Sequence, residues 1–233
     1  MSNRRIYLLN EEFLDKWSPK MAYVLGFWFA DGYMRHEKSY RVVFSSGDYQ
    51  SLLDIRKCLE SNHRIIERND RDFQLIIFSK KLYLRLLNLG GKRRKSRDIK
   101  FPKVPLKYLS DFIRGYFDGD GSVFYTTYRS TKNKKMRTEL RSNFTSGSPK
   151  FLDVLQTVLV DIIGVSRKKL CSFNEGSSWK LGYATMDTVK LLKFMYYSGY
   201  PIALERKASF AKDIFTKRNF ICRGVGIRFT GAI

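Results

Sequence analysis

An apolar, aromatic-rich run that breaks into an aspartate and a glycine occurs twice in this chain, as YVLGFWFADGYMR at residues 23–35 and FIRGYFDGDGSVFY at residues 112–125. The segments downstream of each copy repeat as well. After the first come YRVVFSSGD, a strand pattern, and YQSLLDIRKCLES, with Leu52, Leu53, Ile55 and Leu59 at helical spacing. Two strand-like runs come next, HRIIER and DFQLIIFS, then KKLYLRLLNLGG, a helix stopped by glycines. After the second come ELRSNFTSGSP, KFLDVLQTVLVDIIG, RKKLCSF, SWKLGYAT and MDTVKLLKFMYYSG in the same order, with Phe44-Ser45-Ser46-Gly47 aligned to Phe144-Thr145-Ser146-Gly147. A sequence of this kind must fold as two half-domains of one design. Each half reads helix, two strands, helix, two strands, helix, which predicts an α+β fold with antiparallel sheets. The halves are residues 1–91 and 107–220, the second with an added helix around 202–217; a basic linker at 92–106 joins them and a tail, 221–233, ends the chain.

The motif itself constrains how the halves meet. Ala22, Gly26 and Ala30 share one helix face, as do Gly115 and Gly119. Small residues at that spacing let two helix backbones approach closely, with Gly26 near Gly115 and Ala30 near Gly119. Asp31 and Asp120 then emerge side by side at the C-terminal ends of the two helices. Helix dipoles disfavour negative charge there, so the pair needs a cation. Hard oxygen ligands with open positions suit Mg²⁺ bound together with a substrate phosphate. A lone Asp-Gly is more often a plain turn; the repetition in matched context argues against that. The stretch DGDGS at 118–122 opens like a calcium-binding EF-hand loop, but Val123 stands where that loop needs glycine and Arg129 where it needs glutamate.

Charge points to the partner. Forty-four Lys and Arg against 22 Asp and Glu give a net charge of +22, far beyond what solubility requires, which favours a polyanion whose counterions are released on binding. The basic residues are spread along the chain, not gathered on one amphipathic helix, so a membrane surface fits less well. Eight of them lie between Lys92 and Lys107 with one acid, Asp98, as expected of a strap along a phosphate backbone. Apolar residues at 43% and aromatics at 15% argue against disorder. Cys58, Cys171 and Cys222 are far apart, which argues against structural zinc and a disulfide framework and for a reducing, intracellular compartment. With His36 and His63 the only histidines, His-rich metal sites and Ser-His-Asp triads are poorly supplied. The longest apolar run, 21–30, is too short to span a bilayer, and the N-terminal stretch does not read as a signal peptide.

Together, the two motifs and the repeated αββαββα order resemble the LAGLIDADG homing endonucleases in their double-motif, single-chain form. Val24-Leu25-Gly26-Phe27-Trp28-Phe29-Ala30-Asp31-Gly32 matches the nine-residue motif loosely, and Ile113-Arg114-Gly115-Tyr116-Phe117-Asp118-Gly119-Asp120-Gly121 matches it closely. The resemblance covers residues 19–217 and implies two pseudo-symmetric half-domains with saddle-shaped sheets and the motif helices at their interface. It implies that Asp31 and Asp120 are catalytic metal ligands, assisted by the carbonyls of Ala30 and Gly119, with Mg²⁺ as cofactor and Ca²⁺ supporting binding without cleavage. The sixth motif position, Asp118 in the second copy, is Phe29 in the first. Basic residues that polarise water or phosphate are expected after each closing helix, at Lys95 and Lys207, with Arg206 as a rival. Ser46 and Ser146 position water or cap the next helix.

The implied DNA-reading face comes from strand alternation. In 137–144, Arg137, Glu139, Arg141 and Asn143 take the face opposite Thr138, Leu140, Ser142 and Phe144. In the first half Arg41, Val43 and Ser45 are the counterparts, with Arg68, Arg71 and Gln74 on the neighbouring hairpin. Arg129, Lys132 and Lys134 at the long hairpin tip, and Lys169 and Lys180 beyond it, complete the expected contacts to double-stranded DNA. The function implied is sequence-specific hydrolysis of both strands by a monomer. Two alternatives on the same fold are an RNA maturase acting on intron RNA and a catalytically inactive DNA-binding regulator; retention of both aspartates favours cleavage.

Overall fold

The structure is a computed structural model that describes residues 7–37, 39–69, 72–93, 95–131 and 133–216. Arg71, Lys132, Cys222 and the tail 221–233 lie outside the described residues, as does the last residue of the expected 202–217 helix. The first half is α1 (Pro19–Asp31), β1 (Gly32–His36), β2 (Tyr40–Ser46), α2 (Tyr49–Cys58), β3 (Ile65–Asn69), β4 (Asp72–Phe78) and α3 (Lys80–Asn88). The second repeats it as α4 (Leu109–Asp120), β5 (Gly121–Arg129), β6 (Met136–Ser146), α5 (Pro149–Ile163), β7 (Cys171–Phe173), β8 (Ser178–Tyr183) and α6 (Thr185–Met195), with α7 (Glu205–Thr216) added. The strand orders are identical, β1-β2-β4-β3 and β5-β6-β8-β7, and all pairings are antiparallel.

Local chemistry explains these elements. Ser18 caps α1 by accepting from the Met21 N–H, and Pro19 stands at the first turn, where its missing N–H costs nothing. Ten successive residues of α1, Met21 to Ala30, are buried. A helix apolar all round must be covered all round, and α1 is: one side meets its own sheet and the other meets α4. In the first sheet Met34, Val42, Phe44, Leu75 and Ile77 face the helices; Leu140, Phe144 and Leu181 do so in the second. Asp48 and Ser148 cap α2 and α5. Ser46 and Ser146, expected to cap or to hold water, instead accept from the N–H groups of those two cap residues.

α1 and α4 lie side by side, pointing the same way, and the glycines set their separation. A Cβ at Gly26 would sit 2.0 Å from the Phe112 carbonyl oxygen, and one at Gly115 would sit 2.0 Å from that of Tyr23. Each glycine therefore lies on the partner's backbone three residues before the partner's own glycine, a more specific arrangement than glycine facing glycine. Ala30 and Gly119 meet as expected, the Gly119 Cβ position lying 2.5 Å from the Ala30 Cβ.

The linker is built into the fold more firmly than a strap would be. Lys95–Arg97 form one 3-10 turn, Ile99 is buried, and its carbonyl accepts from Ser148 Oγ at 2.9 Å. Phe101 packs edge-on against Phe112 with ring centres 5.3 Å apart. Among the described residues, no helix is long and apolar enough to cross a membrane.

Candidate active site

Asp31 and Asp120 are the last residues of α1 and α4. Because the helices run parallel in contact, both carboxylates come out at one end of the interface; a Cβ on Gly119 would be 3.2 Å from Asp31 Oδ2. The glycine after each aspartate is required by packing. Gly32 and Gly121 have ordinary φ values of -94° and -96°, but a Cβ on either would lie 2.2 Å from the ring of Trp28 or Phe117. The aromatic residue of each motif folds back over its own helix end and leaves no room for a side chain.

Two buried lysines hold these helix ends. Lys95 Nζ donates to the carbonyls of Phe29 and Ala30, both at 2.6 Å, and lies 5.5 Å from the Trp28 ring centre. Lys207 Nζ donates to the carbonyls of Phe117, Asp118 (2.9 Å) and Gly121 (2.7 Å), and lies 5.0 Å from the Phe117 ring centre. Unpaired carbonyls at a helix C-terminus attract cations, so each ammonium satisfies acceptors and offsets the dipole beneath the aspartate. The sequence-based pairing of Lys95 with Lys207 matches their equivalent placement. Their Nζ atoms point to the backbone, and the Ala30 carbonyl expected on a metal already accepts from Lys95.

Burial, then repulsion from Asp31, pushes the Asp120 carboxyl up to about 7, against the pull of Lys95 and Lys207. Burial raises Asp31 as well, opposed by the same two lysines. Burial lowers both lysines to about 8, opposed by nearby aspartates, Asp118 and Asp31 and Asp120 around Lys207, and Asp120 and Asp31 around Lys95. The stability consequence has a definite sign. An unfolded aspartate titrates near about 4, so from about pH 4 to about pH 7 the folded chain retains a proton that the unfolded chain has lost, and stability falls as pH rises. Urea unfolding of the metal-free protein at pH 5 and pH 7 is therefore expected to show wild type losing stability relative to Asp120→Asn; parallel behaviour of the two would show that the folded chain does not raise the Asp120 carboxyl.

Among the described residues, no group of three or more His, Cys, Asp and Glu is placed to hold a metal. The centre offers two mutually repelling carboxylates and only hard oxygen donors. That donor set fits one kind of ion, a hard divalent cation that relieves the repulsion and takes its remaining ligands from water or phosphate.

Flanking this centre, each sheet turns a face away from the helices. On the first sheet Tyr33, Arg35, Arg41, Val43, Ile66, Arg68, Gln74 and Ile76 line a concavity of about 210 Å³. Arg41, Val43, Arg68 and Gln74 were expected on this face; Ser45 shares it by alternation. Val43 (1% exposed) and Gln74 (5%) lie on its floor, the latter accepting from Tyr33 Oη. Arg35, opposite Arg41 in the strand pairing, was missed, although its alternate position relative to Asp31 carried the signal.

On the second sheet Arg137, Glu139, Arg141 and Asn143 share a face with Lys180. Glu139 Oε2 accepts from Arg141 Nε (2.9 Å) and Nη2 (2.8 Å), holding the guanidinium, while Asn143 is buried. Phe124 and Tyr128, exposed opposite Arg141 and Arg137, were also missed. Arg129 pairs with Met136 on the opposite pleat, and its Nε donates to the Lys134 carbonyl. Lys134 is exposed at the hairpin tip with φ 57°, and Lys169 is exposed in the loop before β7.

No family model matches the chain. Among curated proteins it is 27% identical over 148 residues to a replication factor C small subunit of Methanocaldococcus jannaschii and 37% identical over 81 residues to a probable translation initiation factor IF-2 of Thermococcus kodakarensis. These matches cover 60% and 33% of this chain but only 8% and 6% of those proteins. Among solved structures, a LAGLIDADG meganuclease, I-AabMI, bound to uncleaved DNA, superposes with a TM-score of 0.61 at 15% identity, over 85% of this chain and 89% of that one. The I-LtrWI LAGLIDADG homing endonuclease bound to target DNA gives 0.55 at 15% identity, over 90% and 93%. The meganuclease I-SmaMI bound to uncleavable DNA gives 0.59 at 12% identity, over 85% and 91%. With its two matched half-domains, parallel motif helices and paired terminal aspartates, this chain has the LAGLIDADG fold in its two-domain, single-chain form.

Proposed function

We propose that this chain is a sequence-specific endonuclease that hydrolyses both strands of double-stranded DNA with Mg²⁺, acting as a monomer. The carrying observation is the placement of Asp31 and Asp120 together at the ends of α1 and α4, between two sheet faces bearing arginines. A pseudo-twofold chain with both carboxylates on one axis suits a duplex, whose two strands present their phosphates in a related way.

The chain's own residues divide the work. Arg35, Arg41 and Arg68 on the first sheet and Arg137, Arg141 and Lys180 on the second would place the duplex, the guanidinium that Glu139 holds being suited to a guanine edge. Asp31 and Asp120 would hold divalent metal, with the Gly119 carbonyl in reach of the same end. Bound there, such an ion activates water and stabilises the leaving oxygen. Lys95 and Lys207 keep the helix ends neutralised, so both carboxylates can face the scissile phosphates. Parts of this chain match small fractions of two proteins with unrelated named roles. That supports reading it as a mobile module, whether carried in an intron, an intein or a free-standing gene.

Selection from a randomised duplex library in Ca²⁺, and then in Mg²⁺, tests the reading. A long enriched site cut on both strands is expected. A site bound but left intact would point to a regulator, and absence of any enriched duplex to intron RNA. Affinity for the selected site should fall on the order of 10³-fold between 50 and 200 mM salt, because six or more phosphates are neutralised; a flat salt dependence would remove DNA as the partner.

A further inference from the structure

The two motif copies differ in charge at the sixth position, Phe29 in the first and Asp118 in the second. Phe29 belongs to an aromatic cluster, meeting Phe112 edge-on with ring centres 5.6 Å apart. Asp118 is a buried carboxylate (2% exposed) with three donors: Tyr23 Oη at 2.9 Å, Tyr196 Oη at 2.7 Å and the Leu204 N–H at 2.7 Å. These come from three places, α1 of the other half, the end of α6 and the entry to α7. The entry to α7 is also where Lys207 stands, its own N–H donating to the Leu204 carbonyl at 3.0 Å. Lys95 is presented quite differently. It opens a 3-10 turn closed by the Asp98 and Ile99 N–H groups, and the Lys92–Asp98 ion pair that flanks it is exposed.

We propose that Asp118 is a positioning residue for Lys207, fixing the start of α7 through the Leu204 N–H so that the ammonium sits at the end of α4, and that the two catalytic centres are therefore unequal in what holds them. This rests on the endonuclease reading above. A buried carboxylate with three good donors is strongly held, and removing its charge weakens every one of those bonds. Its loss frees the chain that carries Lys207 while leaving Lys95 on its separate scaffold. The consequence is strand-specific: the helix end beneath Asp120 loses the ammonium that offsets its dipole, and the one beneath Asp31 keeps its own.

The test is cleavage in Mg²⁺ of a supercoiled plasmid bearing the selected site. Wild type is expected to give linear product with little nicked intermediate. Asp118→Asn is expected to nick at close to the wild-type rate but to cut the second strand about tenfold more slowly, so that open circles accumulate. Tyr196→Phe, which removes one donor of three and is the milder change, is expected to show the same asymmetry to a smaller degree. Affinity measured in Ca²⁺ should stay within about twofold for both, since no DNA-facing residue changes. Equal slowing of both strands, or unchanged kinetics in a folded Asp118→Asn protein, would overturn the assignment. If wild type itself fails to cut, the endonuclease reading has failed instead.

Discussion

Asp120→Asn is expected to reduce duplex cleavage by about 10³-fold or more while affinity in Ca²⁺ stays within about tenfold. The expectation comes from what the carboxylate faces. It stands at a helix C-terminus against a second carboxylate, with two buried ammonium groups beneath. Asparagine keeps the shape and one oxygen acceptor but removes the charge that makes the pair attract a divalent ion. Several kcal/mol of transition-state stabilisation depend on such an ion, and each 1.36 kcal/mol is about tenfold in rate. On the proposed reading affinity comes instead from the arginine-bearing sheet faces, and the substitution removes a charge that repels phosphate. Cleavage at the wild-type rate would show that Asp120 is not the metal ligand. Loss of binding along with cleavage would show that the carboxylate pair organises the DNA-reading faces.

The sequence made the repeat, the element order and the Asp31–Asp120 pairing legible because each rests on periodicity or on a steric rule. Small residues every fourth position can only mean close backbones, and a carboxylate after an apolar helix can only emerge at its end. The positions of Lys95 and Lys207 were also legible, from their equivalent places after the closing helices. What their ammonium groups touch was not, because a lysine side chain reaches several acceptors and the Phe29, Ala30, Phe117 and Gly121 carbonyls carry no sequence signature. The surroundings of Asp118 were not legible for a similar reason. Its donors Tyr23, Tyr196 and Leu204 lie 95, 78 and 86 residues away, and only folding brings them together. Arg114, fully buried and donating to Asp111 Oδ1 and to the Met195 and Ile202 carbonyls, escaped notice because a motif arginine in a strongly basic chain reads as DNA contact or surface. The face that Arg129 takes was not legible either, because the hairpin tip puts it on the opposite pleat from Arg137 and Arg141, and a shift of one residue reverses every side chain's face.

Gly115→Ala is expected to be among the most damaging single-methyl changes in the molecule. The added Cβ would lie 2.0 Å from the Tyr23 carbonyl oxygen and 2.9 Å from the Phe27 amide nitrogen. Those are backbone atoms of a helix buried on every side, so neither can swing away as a side-chain tip would. The helices must separate by more than about 1 Å, and a close-packed core resists that at a cost of about 3 kcal/mol or more. For a chain of this size that lowers Tm by on the order of 10 °C. Gly182→Ala supplies the contrast. Its Cβ position has no neighbour within 4 Å and its φ lies outside the left-handed range, so stability should change by no more than about 0.5 kcal/mol. The helix separation also sets the spacing of Asp31 and Asp120 at the end of the same interface. Gly115→Ala should therefore lose cleavage at temperatures where it is still folded, whereas Gly182→Ala should not lose it through the carboxylate pair. A Gly115→Ala protein that melts with wild type would mean the two backbones are not in contact, and the geometry that brings the aspartates together would have to be abandoned.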